Sequence, residues 1–215
     1  MRFFFEIAYD GSSYHGWQSQ HNATGVQAVV EHALAKILRT PVKITGSGRT
    51  DTGVHCEQQF FHADIDSPVD CALLQQRLNT FLPKDISISA MRAVKPTASA
   101  RYDAVERTYR YQITRIKNPF LETYAWHCFK TLNVDAMNEA ALLLIGEHDF
   151  ACFSKVKTDV NHFLCTVKKA TWTEQGNMLY FNITANRFLR GMVRAIVGTL
   201  VDVGAGKITR DEFQS

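Results

Sequence analysis

Apolar and polar positions along the 215-residue chain follow two periods, which switch from one segment to the next. Alternation at every second residue predicts a strand, and apolar residues three or four apart predict an amphipathic helix. Strands are predicted over residues 2–9, 42–46, 54–65, 86–94 and 106–113, with a hairpin over 165–174 and 178–185. Helices are predicted from Thr24 to before Pro41, over 69–82, from Asn133 through Ile145, and over 187–203. The chain therefore alternates strands and helices.

The predicted helix ends carry their own signals. Thr24 and Gln27 have the spacing of a capping box, and Asn133 is a side-chain cap for the third helix. Thr209–Glu212 is a further capping box, but the sequence stops at Ser215. Because an isolated helix of one turn is unstable, we predict no helix there. We also expect a C-terminal piece to be missing from this sequence.

Composition describes an ordinary globular protein, with 46% hydrophobic and 21% charged residues. The formal net charge is only +3, so any nucleic-acid surface must be local. Five scattered cysteines without a CxxC pair predict free thiols in a reducing compartment. The eight histidines show no metal-ligand spacing, which predicts no metal site. Without a signal peptide or a long apolar span, we expect a cytoplasmic protein that does not enter a membrane.

Ten residues, Gly46–His55, combine three glycines with Arg49 and Asp51 between two predicted strands. Glycine lets a backbone turn sharply or approach a ligand closely, and loops held by rigid elements often carry catalytic groups. Asp51 is therefore a candidate catalytic carboxylate. The alternative is a tight surface turn capped by the aspartate side chain.

Two other segments place basic and aromatic side chains together. Period-two alternation puts Arg107, Tyr109 and Tyr111 on one face of a strand, as a base-binding surface or as ordinary packed tyrosines. The predicted helix over 187–203 carries three arginines on one narrow arc, either as a solvated basic face or facing phosphates or a carboxylate. These arginines are Arg187, Arg190 and Arg194.

Two loops are expected to have no chemical role. The Tyr9–Gln18 loop contains three large aromatic residues and is expected to form a turn whose aromatic rings pack against the protein. The basic run Lys155–Asp159 is expected to be solvated.

Four segments, taken in order, resemble the TruA-type tRNA pseudouridine synthases. They are Tyr9–Gln18, Gly48–His55, Arg107–Tyr111 and Asn186–Arg194. The resemblance runs from about residue 3 to residue 206, and four ordered motifs make it specific. Thr52 and Cys56 stand where alanine is usual in the family. The family's closing helix and last strand are also expected to be absent.

The resemblance implies an α+β protein with the pseudouridine synthase fold. Two α/β subdomains, residues 1–104 with the catalytic loop and residues 105–215, would carry antiparallel sheets flanked by helices around a central basic cleft. The implied reaction converts uridine to pseudouridine in the anticodon stem-loop of tRNA (tRNA positions 38–40). It uses no cofactor and no metal, and such enzymes usually act as homodimers.

The resemblance also implies roles for individual residues. Asp51 would be the nucleophile that breaks the N1–C1′ bond of uridine, and Tyr109 would stack on the target base. Arg194 would pair with the catalytic aspartate, and Arg49 would help to displace the base. A base inside a stem must be flipped out before it can react, which requires such a stacking partner. Arg187 and Arg190 are assigned to phosphate contacts.

Two other classes of protein remain as alternatives. Asp51-Thr52-Gly53 is the triplet of aspartic proteases, in which two aspartates share a proton. Arg49-Thr50 precedes it here in place of apolar residues, and a single copy would require a dimer. The second alternative is a non-catalytic RNA-binding module in which Asp51 is structural. The Asp51→Asn substitution would leave such a module unchanged.

Overall fold

A computed structural model describes residues 1–20, 22–155 and 162–214 of the chain. The chain divides into two compact units, Met1–Ala104 and Val105–Ser215. Each unit combines a sheet with helices, which confirms the predicted α+β class. Of the basic run Lys155–Asp159, residues 156–159 lie outside the described residues.

The first unit is a four-stranded antiparallel sheet with two helices. Its strands follow the order β2-β3-β1-β4. They are β1 (Arg2–Tyr9), β2 (Ile44–Gly46), β3 (Cys56–Asp64) and β4 (Ile86–Val94), and the helices are α1 (Val26–Leu38) and α2 (Cys71–Phe81). All four predicted strands of this unit are confirmed, with ends that shift by at most a few residues.

Alternation along the strands places one face of this sheet in the core. Every second side chain of β1 is buried, from Phe3 to Tyr9. Phe5 stacks on Phe61 of β3, with ring centroids 4.7 Å apart. Val30 and Leu34 of α1 and Leu78 of α2 complete the buried cluster. The core therefore lies between one sheet face and the two helices.

The second unit contains a five-stranded sheet with the order β6-β5-β9-β8-β7. The strands are β5 (Arg107–Thr114), β6 (Trp126–His127), β7 (Gly146–Asp149), β8 (Leu164–Gln175) and β9 (Met178–Ala185), and the helices are α3 (Val134–Ala141), α4 (Met192–Gly204) and α5 (Arg210–Gln214). The predicted β8–β9 hairpin is confirmed. The two-residue strand β6 pairs with β5 in parallel, so this sheet is mixed and not wholly antiparallel.

The helix predicted over residues 187–203 begins only at Met192. Gly191 adopts a left-handed conformation with φ 76°, which no α-helix can include. Upstream, Asn186 exchanges hydrogen bonds with Thr166 of β8, because its N–H donates to the Thr166 carbonyl and its Oδ1 accepts from the Thr166 N–H. The predicted helical arc of three arginines is therefore wrong, since Arg187 and Arg190 precede the helix.

Three further predictions about helices differ from the structure. Gly25, not Thr24, is the N-cap residue of α1, and the Gln27 Oε1 that a capping box would use accepts instead from Gln18 Nε2 and the Ser19 N–H. Helix α2, predicted over residues 69–82, spans Cys71–Phe81, because the Asp70 side chain caps it by accepting from the Ala72 and Leu73 N–H groups. Asn133 does cap α3 as predicted, but the α-helix ends at Ala141 and continues as a single 3-10 turn, 142–144.

Helix α5 forms although no helix was predicted there. The capping box closes as its sequence indicates, with the Glu212 N–H donating to Thr209 Oγ1 and the Thr209 N–H donating to Glu212 Oε2. Phe213 packs against the core of the second unit, 6.0 Å from Phe153 between ring centroids. Tertiary packing therefore supplies the stability that an isolated turn lacks.

The five cysteines are all free thiols. Among the described residues, no helix combines the length and apolar character needed to cross a bilayer. Within residues 1–20, 22–155 and 162–214, no group of three or more His, Cys, Asp or Glu side chains could hold a metal ion.

Candidate active site

The loop between β2 and β3 is fixed by main-chain hydrogen bonds at both ends and in the middle. The Ser47 N–H donates to the Phe60 carbonyl over 2.7 Å, so the loop leaves the sheet in a defined direction. In the middle, the Thr50 carbonyl accepts from the Trp17 N–H over 3.2 Å. The Val54 N–H then donates to the Asp51 carbonyl over 3.1 Å, which closes a tight turn after Asp51. The backbone around Asp51 therefore has little freedom.

The Tyr9–Gln18 segment forms the surface on which this loop rests, which confirms its predicted packing role. Tyr14 and Trp17 are 6% and 2% exposed. The Tyr14 carbonyl accepts from the Gly53 N–H, and its hydroxyl donates to Asp85 over 2.7 Å. Burial and the neighbouring Asp85 both raise the pKa of Tyr14. The hydroxyl therefore keeps its proton and its bond.

Gly16 lies where the two segments approach most closely. Its φ is +83°, and a Cβ at this position would lie 2.2 Å from the Thr50 carbonyl oxygen. Any other residue would therefore need both a strained backbone and a displaced loop. The glycine allows the main chain of residue 16 to contact the main chain beside Asp51.

Side chains of the first unit add a second set of contacts. Gln59 of β3 donates from Nε2 to the Gly48 carbonyl over 3.0 Å and accepts from the Tyr9 hydroxyl over 3.2 Å. The Tyr9 hydroxyl also lies 2.8 Å from Thr50 Oγ1. Gly48 and Thr50, on either side of Arg49, are therefore both hydrogen-bonded to buried side chains of the sheet.

His55 closes the far end of the loop through one ring nitrogen. Its Nδ1 lies 3.1 Å from the Gly11 nitrogen and 3.0 Å from Asp10 Oδ1. An unprotonated Nδ1 accepts from the Gly11 N–H, whereas a protonated one donates to the carboxylate. Either protonation state ties the loop to the β1 end.

The two charged residues of the loop differ in exposure. Asp51 is half-buried, and Arg49 is exposed. A half-buried carboxylate on a fixed backbone is directed by its surroundings. The exposed guanidinium, in contrast, is available to a ligand in solution.

In the second unit, β5 presents the predicted row of side chains. Arg107, Tyr109 and Tyr111 are half-buried, whereas Thr108 and Arg110 between them are exposed, which confirms the alternation. Tyr109 and Tyr111 pack against the core of this unit. The ring of Tyr109 meets Phe188 edge-on at 5.0 Å between centroids. Packing thus fixes the Tyr109 ring while leaving part of it accessible.

The arginines near α4 have different environments. Arg194 is exposed on the first turns of α4. Burial raises the pKa of Tyr111, and the positive charge of Arg194 acts in the opposite direction, so the two groups are neighbours. Arg187 Nη1 lies 3.3 Å from His162 Nε2, and Arg190 is exposed with its carbonyl bonded to the Lys155 N–H. Only Arg194 of the three therefore lies on the helix.

Comparison with known proteins identifies the family. Residues 7–103 and 140–215 match the family model of tRNA pseudouridine synthase. A tRNA pseudouridine synthase A from Porphyromonas gingivalis is 48% identical over 217 residues, covering 99% of this chain and 86% of that protein. The chain belongs to the tRNA pseudouridine synthase family.

Other members of the family agree. Proteins of the same name from Bacteroides fragilis and Chlorobaculum tepidum are 46% and 41% identical, and the matches cover 99% and 97% of this chain. In each case the match covers 85% of the relative. Membership of the tRNA pseudouridine synthase family confirms the predicted isomerase class. It also excludes the aspartic protease alternative, because here the Asp51-Thr52-Gly53 triplet lies in a loop of a tRNA pseudouridine synthase.

Sequence reasoning missed the residues that hold the synthase loop from within the first unit. Gln59 lies on the same face of β3 as the buried Phe61 and Ala63. A glutamine at an inward position of a strand is unusual. Counting back by twos from Phe61 would have found it. No comparable local signal points to the Gly16–Thr50 contact, which joins residues 34 positions apart.

Proposed function

We propose that this protein converts uridine to pseudouridine in the anticodon stem-loop of tRNA, with Asp51 as the catalytic nucleophile. The observation that carries the proposal is the half-buried Asp51 on a loop whose backbone is fixed on both sides, in a chain of the tRNA pseudouridine synthase family. Nucleophilic catalysis by a carboxylate requires it to be aimed and partly desolvated. The loop supplies both conditions.

The proposed reaction is an isomerisation and needs no cofactor or metal. The N1–C1′ bond of uridine breaks, the free base turns, and a C5–C1′ bond forms. The proton on C5 is lost, and N1 gains one. Atoms and electrons balance without an oxidant or reductant, so the protein must supply only a nucleophile, orientation and a proton acceptor.

Base flipping accounts for the other proposed roles. Tyr109 stacks on the extruded uracil, which suits an aromatic ring that Phe188 holds edge-on. The exposed Arg49 occupies the gap that the base leaves. Arg194 is the basic partner of the catalytic carboxylate. Arg187 and Arg190 contact phosphates. Arginine side chains can bind phosphate oxygens whether they lie on a helix or, as here, before one.

We also propose that the enzyme is a homodimer and acts in the cytoplasm, where its substrate tRNA is found. Large apolar side chains of the second unit are exposed between residues 116 and 129. They are Ile116, Phe120, Tyr124, Trp126 and Phe129, with Phe120 and Phe129 87% and 84% exposed. Exposed apolar side chains of this size favour association. Light scattering should give twice the 24.3 kDa mass of one chain.

The reaction is tested with a tRNA transcript that carries tritium at uridine C5. The protein should release the label, because C5 loses its proton when the new bond forms. Asp51→Asn should abolish release while tRNA binding persists. A non-catalytic RNA-binding module would bind tRNA equally well with either residue and would release no label. Absence of release by folded wild-type protein from any uridine-containing tRNA would falsify the synthase proposal.

A further inference from the structure

The buried amide of Gln59 is a point where several contacts of the Asp51 loop meet. Gln59 is only 8% exposed, and Tyr9 is 4% exposed. The amide nitrogen bonds the Gly48 carbonyl, and the amide oxygen accepts from the Tyr9 hydroxyl, which in turn reaches Thr50 Oγ1. One side chain thus connects the residues on either side of Arg49.

We propose that Gln59 is a positioning residue, which sets the geometry of Arg49 and Asp51 through Gly48 and Tyr9. The catalytic part of this inference rests on the synthase function proposed above. Within the described part of the chain, Gln59 makes no hydrogen bond to the side chain of Arg49 or Asp51. It acts on the main chain at Gly48 and, through Tyr9, on the side chain immediately before Asp51.

Burial is the physical reason why one amide can have this effect. A buried polar group keeps its partners because water cannot replace them, and linked hydrogen bonds support one another. Cys56 adds to the arrangement, since its Sγ lies 3.8 Å from Gln59 Oε1. Burial raises the pKa of the Cys56 thiol to about 11, so it keeps the proton with which it donates.

The neighbouring Gln58 provides a matched control. It lies on the same strand, is exposed, and donates to Glu6 Oε1 over 2.8 Å, away from the loop. Gln59→Met and Gln58→Met make the same chemical change one residue apart. Only the first removes contacts to Gly48 and Tyr9.

The test measures the single-turnover rate of tritium release, the Kd for tRNA, and hydrogen exchange of peptides covering residues 14–18 and 46–55. Gln59→Met should lower the rate about 10- to 100-fold, the size expected when a reacting group is displaced by roughly 1 Å. The Kd should stay within about twofold, because the change affects the transition state and not binding. Exchange of the Trp17 and Val54 amides, which bond to the loop carbonyls, should become faster.

Tyr9→Phe removes one arm of the network without changing shape and serves if Gln59→Met does not fold. The two substitutions combined should cost less than the product of their single effects, because both break the same chain of bonds. The proposal is overturned if Gln59→Met leaves both the rate of tritium release and the hydrogen exchange of the loop unchanged. If only Tyr9→Phe folds, the same result in that variant overturns it. An equal effect of Gln58→Met, or a loss confined to binding, overturns it too. If the wild type releases no label, the synthase proposal fails, whereas faster exchange in Gln59→Met still supports the positioning of the loop.

Discussion

The loop after β2 and the segment before α4 both combine arginine with a glycine of positive φ, but they are held in different ways. In the loop, Gly53 has φ 74°, and buried side chains from β1 and β3 fix the backbone. Before α4, Gly191 has φ 76°, and the neighbouring Arg190 is exposed with a main-chain bond to Lys155. Buried polar side chains hold the first region, whereas main-chain hydrogen bonds and the buried apolar side chain of Leu189 hold the second.

This difference separates two kinds of function. A group that takes part in bond making must be held within a fraction of an ångström, which favours support from buried polar side chains. A group that contacts phosphates acts largely through its charge and tolerates more freedom. We therefore expect substitutions at the loop to affect rates, and substitutions at Arg187 or Arg190 to affect tRNA binding.

The largest expected effect is on the reaction rate, and it is tested by comparing Arg194→Ala with Arg190→Ala. Removing the proposed cationic partner of Asp51 should lower the single-turnover rate about 100- to 1,000-fold, as loss of one aligned electrostatic contact does. Arg190→Ala should instead weaken tRNA binding and reduce its dependence on salt. The slope of log Kd against log salt should fall by about 0.7 for one lost phosphate contact.

Both variants replace exposed arginines four residues apart, so their effects on folding should be similar. Kd measured between low and moderate salt, together with the saturated rate, separates the two roles. If Arg194→Ala behaved as Arg190→Ala does, Arg194 would belong with the phosphate contacts, and the proposed pairing with Asp51 would be wrong.

The next largest effect concerns the support beneath the loop. Gly16→Ala combines a positive φ with a Cβ 2.2 Å from the Thr50 carbonyl oxygen, whereas Gly53→Ala has φ +74° and open space. Strain alone costs about 1–2 kcal/mol, and overpacking adds about 1–3 kcal/mol. We expect Gly16→Ala to destabilise by about 2–5 kcal/mol and Gly53→Ala by about 1–2 kcal/mol. Urea unfolding measures both, and equal losses would mean that the close approach to Thr50 is easily relieved.

Sequence predicted the fold where local signals act alone. Asn133 caps α3 as predicted, since its Oδ1 accepts from the Ala136 N–H three residues on. The box at Thr24 and Gln27 failed because Gln27 is bonded outside the turn: its Oε1 accepts from Gln18 Nε2, and its Nε2 donates to the Ile44 carbonyl. At Thr209 the box formed, but the helix also needs Phe213 to pack on the core. Long-range contacts decided both cases, and a pattern read within one turn does not contain them.

The candidate site shows the same limit. The glycine-flanked position of Asp51 and the packing role of Tyr9–Gln18 follow from local composition, and the structure places these segments against each other. The network through Gln59 joins β1, β3 and the loop, so no single segment reveals it. The helix was predicted to begin at Arg187 and begins at Met192, because the arginine spacing does not reveal that Gly191 is left-handed.

The smallest expected effect tests the segment before α4 with two glycines of the same region. Gly191 lies at the cap of α4 with φ 76°, and Gly198 lies within the helix, where a Cβ would meet nothing within 4 Å. Gly191→Ala should destabilise by about 1–2 kcal/mol, because alanine is strained in the left-handed region. Gly198→Ala should stabilise by about 0.5–1 kcal/mol, because it raises helix propensity and restricts the unfolded chain.

Gly191→Ala and Gly198→Ala are expected to change stability in opposite directions, so together they test where the helix begins. If α4 began at Arg187, residue 191 would be an interior helical position, and Gly191→Ala would stabilise the protein as Gly198→Ala does. Urea unfolding of the two variants therefore distinguishes the boundaries without any activity measurement. Stabilisation by Gly191→Ala would mean that Arg187 and Arg190 are part of the helix. Arg187 and Arg190 would then share one face with Arg194, and the contrast between the loop and the segment before α4 would be lost.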